Sequence, residues 1–427
     1  MKQRRTEIRG AQRVTQIRGA NRALVLQVLR RYHRLSRAEL ARRTGLSEGA
    51  VSRIAAELLE DKLIHEQGSE NSTGGRPGTR LELNPHYHRS IGVDIRQFET
   101  LVSLGTLQGQ VVETQRFRTP RSVAKTLELA AEHVNRLKAK ECDQWIHGVG
   151  VSVRGIVDHE LGVVEVGSSA AWNGMAVKAP LQAGTGLPVH VENNVRAAAL
   201  AQYNSGSAEI NGSRCMLFIR VDEGIGMGIV MDGKIYRGTH RSAGEIGQMV
   251  IADSPGGGAQ DRPGCLESLA AHPAIFSRYN DLANETRGAS GETESRIRKI
   301  CHLAREGDPA AVQALRECMR YLGIGIANVI WALNADVVII DGAITDAWPL
   351  VLEAIREQFP SGDEFRNFHN LILRPCSLGQ GTGFTGALAL PFVDLFEMGD
   401  VAGLPKAAVP EPAEVFGEDT GSLAGIS

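Results

Sequence analysis

The stretch that most constrains this chain is LSRAELARRTGLSEGAVSRIAAELLEDKLIHE, residues 35–66. Ser36 precedes an apolar-periodic run and has Glu39 three residues on, a capping box that predicts a short helix Arg37–Arg43. Thr44-Gly45-Leu46 is the break, with Gly45 free to take positive φ. Ser47 then caps a second helix to about Asp61, with Val51, Ile54, Leu58 and Leu59 on one face. The other face carries Ser47, Glu48, Ser52 and Arg53, small or hydrogen-bonding side chains that suit a major groove. Ser36 and Arg37, at the start of the first helix, join them as candidate DNA contacts. The bland alternative is a helical hairpin with a solvated face. Caps, turn glycine and basic surroundings agree on the DNA-binding reading.

Charge supports it. Residues 1–80 hold 17 Lys and Arg against 8 Asp and Glu, whereas the remainder holds 30 against 41. A basic head on an acidic body points to a polyanion partner for the head alone. Residues 1–20 are Arg-rich and read as a disordered basic arm, either adding phosphate affinity or merely solvated. Asn21 is the expected cap of a helix, RALVLQVLRRY, whose Leu24, Val28 and Leu29 can pack under the helix pair. Lys62–Gln67 and Arg80–Leu83 read as two strands around GSENSTGGRPGT, which completes a winged helix-turn-helix over 21–84. Arg76 in the tip, between Gly75 and Pro77, is a candidate minor-groove contact; a flexible linker with one arginine is the alternative.

After a short connector, residues 90–396 read as an α/β body. Strands are expected at Ser90–Ile95, near Thr100–Leu107, near Val111–Phe117 and at Gly148–Val153, with a helix at Arg121–Lys140. A similar order returns with strands Met216–Val221, Gly226–Met231 and Lys234–Arg237, a helix Pro309–Ala332 capped by Asp308, and a strand Val337–Ile340. Two such halves imply a duplicated fold with a cleft between lobes. Asn280–Glu294 reads as an exposed loop, and residues 398–427 as a disordered acidic tail. Six scattered cysteines without a CxxC pair suit a reducing cytoplasm and offer no disulfide framework. Neither a signal peptide nor a bilayer-spanning apolar run is expected, so no membrane partner is.

From Asn21 to Phe396 the chain resembles the ROK family, which groups sugar-responsive repressors with sugar kinases. The head segments LSRAELARRTGLSEGAVSR, GGRPG and LELNP resemble the repressor branch. In the body GVDI, VENNVRAAALAQ, GIGMGIVMDGKIYRG, AGEIGQ, GCLE and IIDGAI follow in family order and spacing. The resemblance implies a two-lobed actin-like ATPase fold, a ribonuclease H-like unit duplicated, behind the winged head.

The resemblance also supplies a test for kinase chemistry. The kinases' first phosphate loop, GVDIGGTK-like, reads GVDIRQFE here, placing Arg96, Gln97, Phe98 and Glu99 where small residues would approach phosphate. The family's catalytic Asp is Asn194, an amide that takes no proton near neutral pH, a loss on the order of 10²–10⁴ in rate. The second loop, GTGIG in kinases, is Asp222-Glu223-Gly224-Ile225-Gly226. The resemblance further implies a zinc site, of which Gln248, Gly258 and Gln260 replace three ligands and Cys265 alone remains. No catalytic residue, metal or cofactor is therefore expected. The implied sugar contacts are Asn193, Asn194, Glu245, Gln248 and Glu267, with Trp172 and Asn173 nearby. The expectation is a homodimeric or dimer-of-dimers regulator, a repressor, that binds a palindromic operator and senses a small carbohydrate. A sugar kinase with a DNA-binding head, or a DNA-bound scaffold that senses nothing, are the alternatives.

Overall fold

The computed structural model describes residues 2–68, 79–141, 144–205, 210, 212–253, 264–283, 293–362, 364–379 and 381–398, with side chains placed from Ile17 onward. Arg76 and the rest of the wing tip, Gly258, Gln260 and the tail beyond 398 lie outside the described residues.

The head begins with one 31-residue helix, Lys2–Tyr32. The expected disordered arm at 1–20 is thus corrected to helix from Lys2, and Asn21 lies inside that helix instead of capping it. No proline interrupts this run, and Gly10 and Gly19 each cost only about 1 kcal/mol of helix propensity. Arg18 and Arg22 then anchor it to the second motif helix through Glu57 (2.7 Å) and Asp61 (2.6 Å). The capping box holds. Ser36 accepts from the Glu39 amide, and the Glu39 carboxylate accepts from the Ser36 amide at 2.8 Å across the start of helix Arg37–Thr44. Gly45 takes φ 71°, and Ser47 caps helix Glu48–Glu60. Strands Ile64–Gln67 and Arg80–Leu83 pair antiparallel, and a two-residue strand, Leu35–Ser36, adds to the far edge of Arg80–Leu83.

The body is built on two five-stranded sheets of one topology, with a small three-stranded sheet, Gly155–Asp158, Val163–Gly167 and Met175–Ala176, beside the first. In the first, His88–Ile95, Glu99–Thr106 and Val111–Arg118 form an antiparallel meander, while Trp145–Val153 and Val189–Asn193 extend the other side in parallel. In the second, Cys215–Val221, Ile225–Met231 and Lys234–Ile235 repeat the meander, and Val337–Asp341 and Ile372–Pro375 repeat the parallel pair. Helix Pro309–Leu333 is capped by Asp308, as expected. The expected loop at Asn280–Glu294 is shorter than its composition suggests, because helix His272–Ala283 enters it and helix Thr293–Arg305 begins before its end.

The two lobes and the head are joined by one late segment. Helix Thr382–Ala389 returns from the second lobe to lie on the first sheet, where glycines make room for it. A Cβ on Gly150 would meet the Ala387 carbonyl oxygen at 1.9 Å, and one on Gly105 would meet Leu388 at 2.7 Å. The chain continues through Leu390–Phe392 into helix Val393–Met398. Phe392, Leu395 and Phe396 complete the head's own core with Leu26, Leu29, Leu40 and Leu58. Gln27 hydrogen-bonds the Phe396 carbonyl, and the Arg30 guanidinium stacks 3.7 Å from the Phe396 ring centre.

A buried histidine pair also spans head and body. His88 Nε2 lies 2.9 Å from the carbonyl oxygen of Asp61, the residue that ends the second motif helix. A carbonyl only accepts, so His88 carries its proton on Nε2 and accepts at Nδ1 from His147 Nε2, 2.7 Å away. Burial, with the neighbouring His88 adding, pushes His147 down to about 3. Burial lowers His88 too. The neutral ring is therefore the folded form, and its stabilisation is complete above the ordinary histidine value near 6.5 and lost as pH falls toward 3. Urea unfolding is expected to show a midpoint that falls between pH 6.5 and 5, by up to about 1.4 kcal/mol per pH unit for one excluded proton. His147→Leu is expected to flatten that slope.

Candidate ligand cleft and DNA-reading face

The exposed face of helix Glu48–Glu60 presents Glu48, Ser52 and Arg53 to solvent, and among the described residues Arg53 has no ion-pair partner. The other expected contacts are already engaged. The Ser36 and Ser47 hydroxyls accept backbone N–H groups at the two caps, and Arg37 Nη2 lies 2.7 Å from Glu66. Cap and phosphate duties are compatible for the Ser47 hydroxyl, which keeps its own proton, whereas the Ser36 hydroxyl already donates to Glu39 Oε2 at 2.9 Å. Arg42, exposed on the neighbouring helix, was not singled out by the sequence pattern and lies on the same basic surface.

Between the lobes lies a cleft of two connecting cavities, about 570 Å³ and about 140 Å³. The larger is lined by residues 96–99 and by Asp222 and Glu223, the segments that the family resemblance sets at the phosphate loops, and its walls are charged. Asp94, at the end of the first strand and 3% exposed, accepts from Ser152 Oγ at 2.9 Å and from Arg96 Nε at 2.6 Å. The substitution in the first loop has thus placed a guanidinium on the strand-end carboxylate. On the other wall Arg220 Nε donates to Asp341 at 2.8 Å and Arg220 also donates to Thr382 Oγ1. Burial opposes the charge of Arg220, but the Asp341 carboxylate outweighs it and raises its pKa. Arg298 is held by Glu294 and Asp346, each at 2.7 Å. Asp222 projects from the second loop. Burial acts to raise its carboxyl, yet His272, whose Nδ1 lies 3.4 Å from Oδ1, outweighs that and brings it to about 2, with Arg154 and Arg220 helping.

The smaller cavity collects most of the expected sugar contacts. Asn193, Asn194, Glu245 and Glu267 all line it; Gln248 does not, and the structure places it on the exposed side of a short 3-10 turn. Asn193 is more a builder of the site than a free contact. Its Oδ1 accepts from the Val195 and Arg196 amides as the cap of helix Asn194–Asn204, and its Nδ2 donates to the Gly155 carbonyl. Asn194, at the first position of that helix, keeps its amide toward both cavities. Glu267 Oε2 accepts from the Ile225 amide at 2.9 Å. Gly224 leaves room for it, since a Cβ there would meet Oε2 at 2.6 Å and displace the carboxylate. Burial pushes the Glu245 carboxyl up, Arg196 opposes, and nearby Glu267 adds to the rise. Trp172 and Asn173 lie on a separate turn, where Asn173 Oδ1 accepts from Gly167 N.

Behind this cavity sits the residue that holds it open. Glu192, 1% exposed, takes Arg196 Nε on one oxygen at 2.9 Å and Arg237 Nε on the other at 2.7 Å, and also accepts its neighbour's amide. Arg196 reaches on to the Arg241 carbonyl, and Arg241 pairs with Asp158 at 2.9 Å in the first lobe. Arg237 and Arg241 belong to the segment after the second lobe's hairpin, so this chain of charges straps one lobe to the other. Sequence reasoning missed Glu192, Arg237 and Arg241; no local pattern marks them, because their pairing is long-range. Among the described residues no cluster of His, Cys, Asp and Glu is arranged to hold a metal ion, and no helix is long and apolar enough to cross a membrane. Cys265 is buried at the start of helix Leu266–Ala270.

Comparisons with known proteins agree with this architecture. The model of the ROK family matches residues 90–392 and that of the MarR family residues 19–73. The chain is 27% identical to the xylose repressor of Caldicellulosiruptor bescii, over 89% of this chain and 97% of the relative. It is 26% identical to the DNA-binding transcriptional dual regulator NagC of Escherichia coli, over 78% and 82%. A crystal structure of a ROK family transcriptional regulator, described as a homologue of the E. coli MLC protein, superposes with a TM-score of 0.70 at 25% identity, covering 90% and 97%. A ROK hexokinase from Thermus thermophilus superposes with a TM-score of 0.59 at 26% identity, covering 72% of this chain and 99% of the enzyme. The enzyme's match stops short of the share that the regulator covers, as expected for a body without the head.

Glu192→Ala is expected to cost about 3–5 kcal/mol, because it strands the buried Arg196 guanidinium without its carboxylate. Chemical denaturation checks this; a loss below 1 kcal/mol would show that the strap is not a structural support.

Proposed function

Since this chain belongs to the ROK family, we propose that it is a sequence-specific DNA-binding transcriptional regulator, a repressor of carbohydrate-metabolism genes, whose body binds a sugar or sugar derivative without phosphorylating it. The observation that carries this reading is a fully capped helix-turn-helix wired into the core of a kinase-type body whose nucleotide cavity is walled by ion pairs. Relatives named as a xylose repressor and as the regulator NagC support the regulatory half.

In the DNA complex, helix Glu48–Glu60 enters the major groove with Ser52 and Arg53 toward base edges and Ser47 and Arg37 toward phosphates. Ser36 and Glu48 flank these contacts, and Arg76, on the wing tip, reads the adjacent minor groove. One such helix reads only a few base pairs, so the working unit is a homodimer or dimer of dimers on a palindromic operator, in the cytoplasm. In the cleft, Asn194, Glu245 and Glu267 hold sugar hydroxyls through paired hydrogen bonds, with Asn193 fixing the first of them in place and Gln248 at the rim. Phosphoryl transfer lacks its base, and the second loop opposes a triphosphate. Asn194 cannot take the hydroxyl proton, and Asp222 and Glu223 bring negative charge to the loop that would meet a triphosphate.

Sequencing of genomic DNA fragments retained by the purified protein is expected to return a few loci that share a palindrome. Arg53→Ala is expected to weaken binding to that site by about 10-fold or more, at 1–3 kcal/mol for a bidentate base contact, with non-specific retention little changed. Broad, salt-sensitive retention without a common site would sink the regulator reading, and ATP-dependent phosphorylation of any hexose or N-acetylhexosamine would restore the kinase.

A further inference from the structure

Four arginines line the larger cavity of the cleft: Arg96, Arg154, Arg220 and Arg298. Three are spent. Arg96 is on Asp94, Arg220 on Asp341 and Thr382, and Arg298 on Glu294 and Asp346. Arg154 is different. It is half-buried in the turn between strands Trp145–Val153 and Gly155–Asp158, and among the described residues it has neither a hydrogen bond nor an ion pair. It also lines the smaller cavity, and so stands where the two cavities join. Asn194, the first residue of an 11-residue helix, stands at the same junction, so the positive end of that helix and the guanidinium face one space.

A half-buried guanidinium gives up hydration, and a fixed planar fork of donors with no protein acceptor is complementary to an oxyanion. Asp222 feels the charge of Arg154 but does not pair with it, because it is already set against His272. The carboxylates Glu245 and Glu267 lie in the smaller cavity, on the side suited to hydroxyls. The site is therefore two-ended: acceptors for hydroxyls inside and one uncommitted cation at the mouth.

We propose that Arg154 selects a sugar that carries an oxyanion, a phosphate ester or a carboxylate, with the ring in the smaller cavity and the anion at the junction. This rests on the sugar-sensing reading of the same cleft and adds the ligand's charge. No group transfer is involved; the anion arrives already attached to the sugar. The effector is then the product of an upstream phosphorylation or oxidation of the sugar, not the free neutral sugar.

The test is calorimetric titration of the full-length protein, at matched ionic strength, with a panel of neutral pentoses, hexoses and N-acetylhexosamines, their phosphate esters, the corresponding uronic acids, and inorganic phosphate. At least one phosphate ester or uronic acid is expected to bind at least about 10-fold more tightly than its neutral parent, and the two arms say which oxyanion is meant. Arg154→Gln is expected to erase that preference while leaving the neutral parent's affinity within about twofold, and Arg154→Lys to recover part of it. Unchanged thermal unfolding of both variants shows that the cleft is intact. Equal binding of neutral and anionic forms by the unaltered protein, or a preference that survives Arg154→Gln, overturns the proposal and leaves sugar sensing standing. Inorganic phosphate binding as tightly as any sugar phosphate overturns it too, by showing a bare anion site. Binding of no member of the panel overturns both this inference and the sensing reading beneath it.

Discussion

A close backbone approach between a helix and a sheet sets the terms for the rest. Helix Thr382–Ala389 can lie on the first sheet only because Gly92, Gly105 and Gly150 present no Cβ there, and at Gly150 the helix carbonyl of Ala387 occupies the space a side chain would need. The contact is a steric permission more than a bond, and it is reinforced by Ser90 Oγ donating to the Leu388 carbonyl at 2.8 Å. Once the helix is seated, its two ends are fixed. The first end meets the cleft, with Gly383 against Asp94 and Thr382 between Arg220 and Asp341. The other end delivers Phe392, Leu395 and Phe396 into the core of the head.

The charges that wall the cleft are arranged as internal ion pairs. Carboxylates at strand ends, Asp94 and Asp341, would face a polyphosphate with the wrong sign unless neutralised. Arg96 and Arg220 neutralise them within the protein, which turns a binding site for an anion and its counter-ion into a set of internal ion pairs. Such pairs return little net stability against the cost of desolvation. Their effect is positional: each ties a loop to a strand end, and the Arg220–Asp341–Thr382 cluster ties both to the start of the rod that leads to the head.

Much of this was legible in the sequence where a local rule has one structural solution. Ser36 with Glu39, Gly45, and Ser47 are cap and turn residues, and the helices start and stop where they say. The alternating strands of the body, and the repetition of their order, gave the duplicated lobes within a few residues. Long-range facts were not legible. Nothing local says that Arg18 and Arg22 find Glu57 and Asp61, so residues 2–20 read as a solvated arm when they belong to one helix. Gln248 follows the family's order yet turns outward, because a 3-10 turn displaces it from the wall that Glu245 and Glu267 share. Arg154 lies in none of the quoted segments, and Glu192 lies in one without a role of its own; their meaning comes from which neighbours have, or have not, a partner.

A route for the regulatory signal emerges from the same contacts. A ligand bound between Asn194 and Glu267 would touch both lobes, so its binding energy would differ between open and closed forms of the cleft, which is the condition for any shift of population. Closure would bear on the strap from Glu192 through Arg241 to Asp158, and on Arg220 at the foot of helix Thr382–Ala389. That helix lies close-packed in its glycine trough and leads to Phe396, which sits against Gln27 and Arg30 of the head's first helix. The histidine pair gives the recognition element a second tether, from the carbonyl of Asp61 through His88 and His147 to Phe392. Two tethers to one body fix the orientation of a head where a single linker would leave it free. For a dimer on a palindrome, orientation sets the separation of the two recognition helices, and a few ångströms there decide whether both enter the groove.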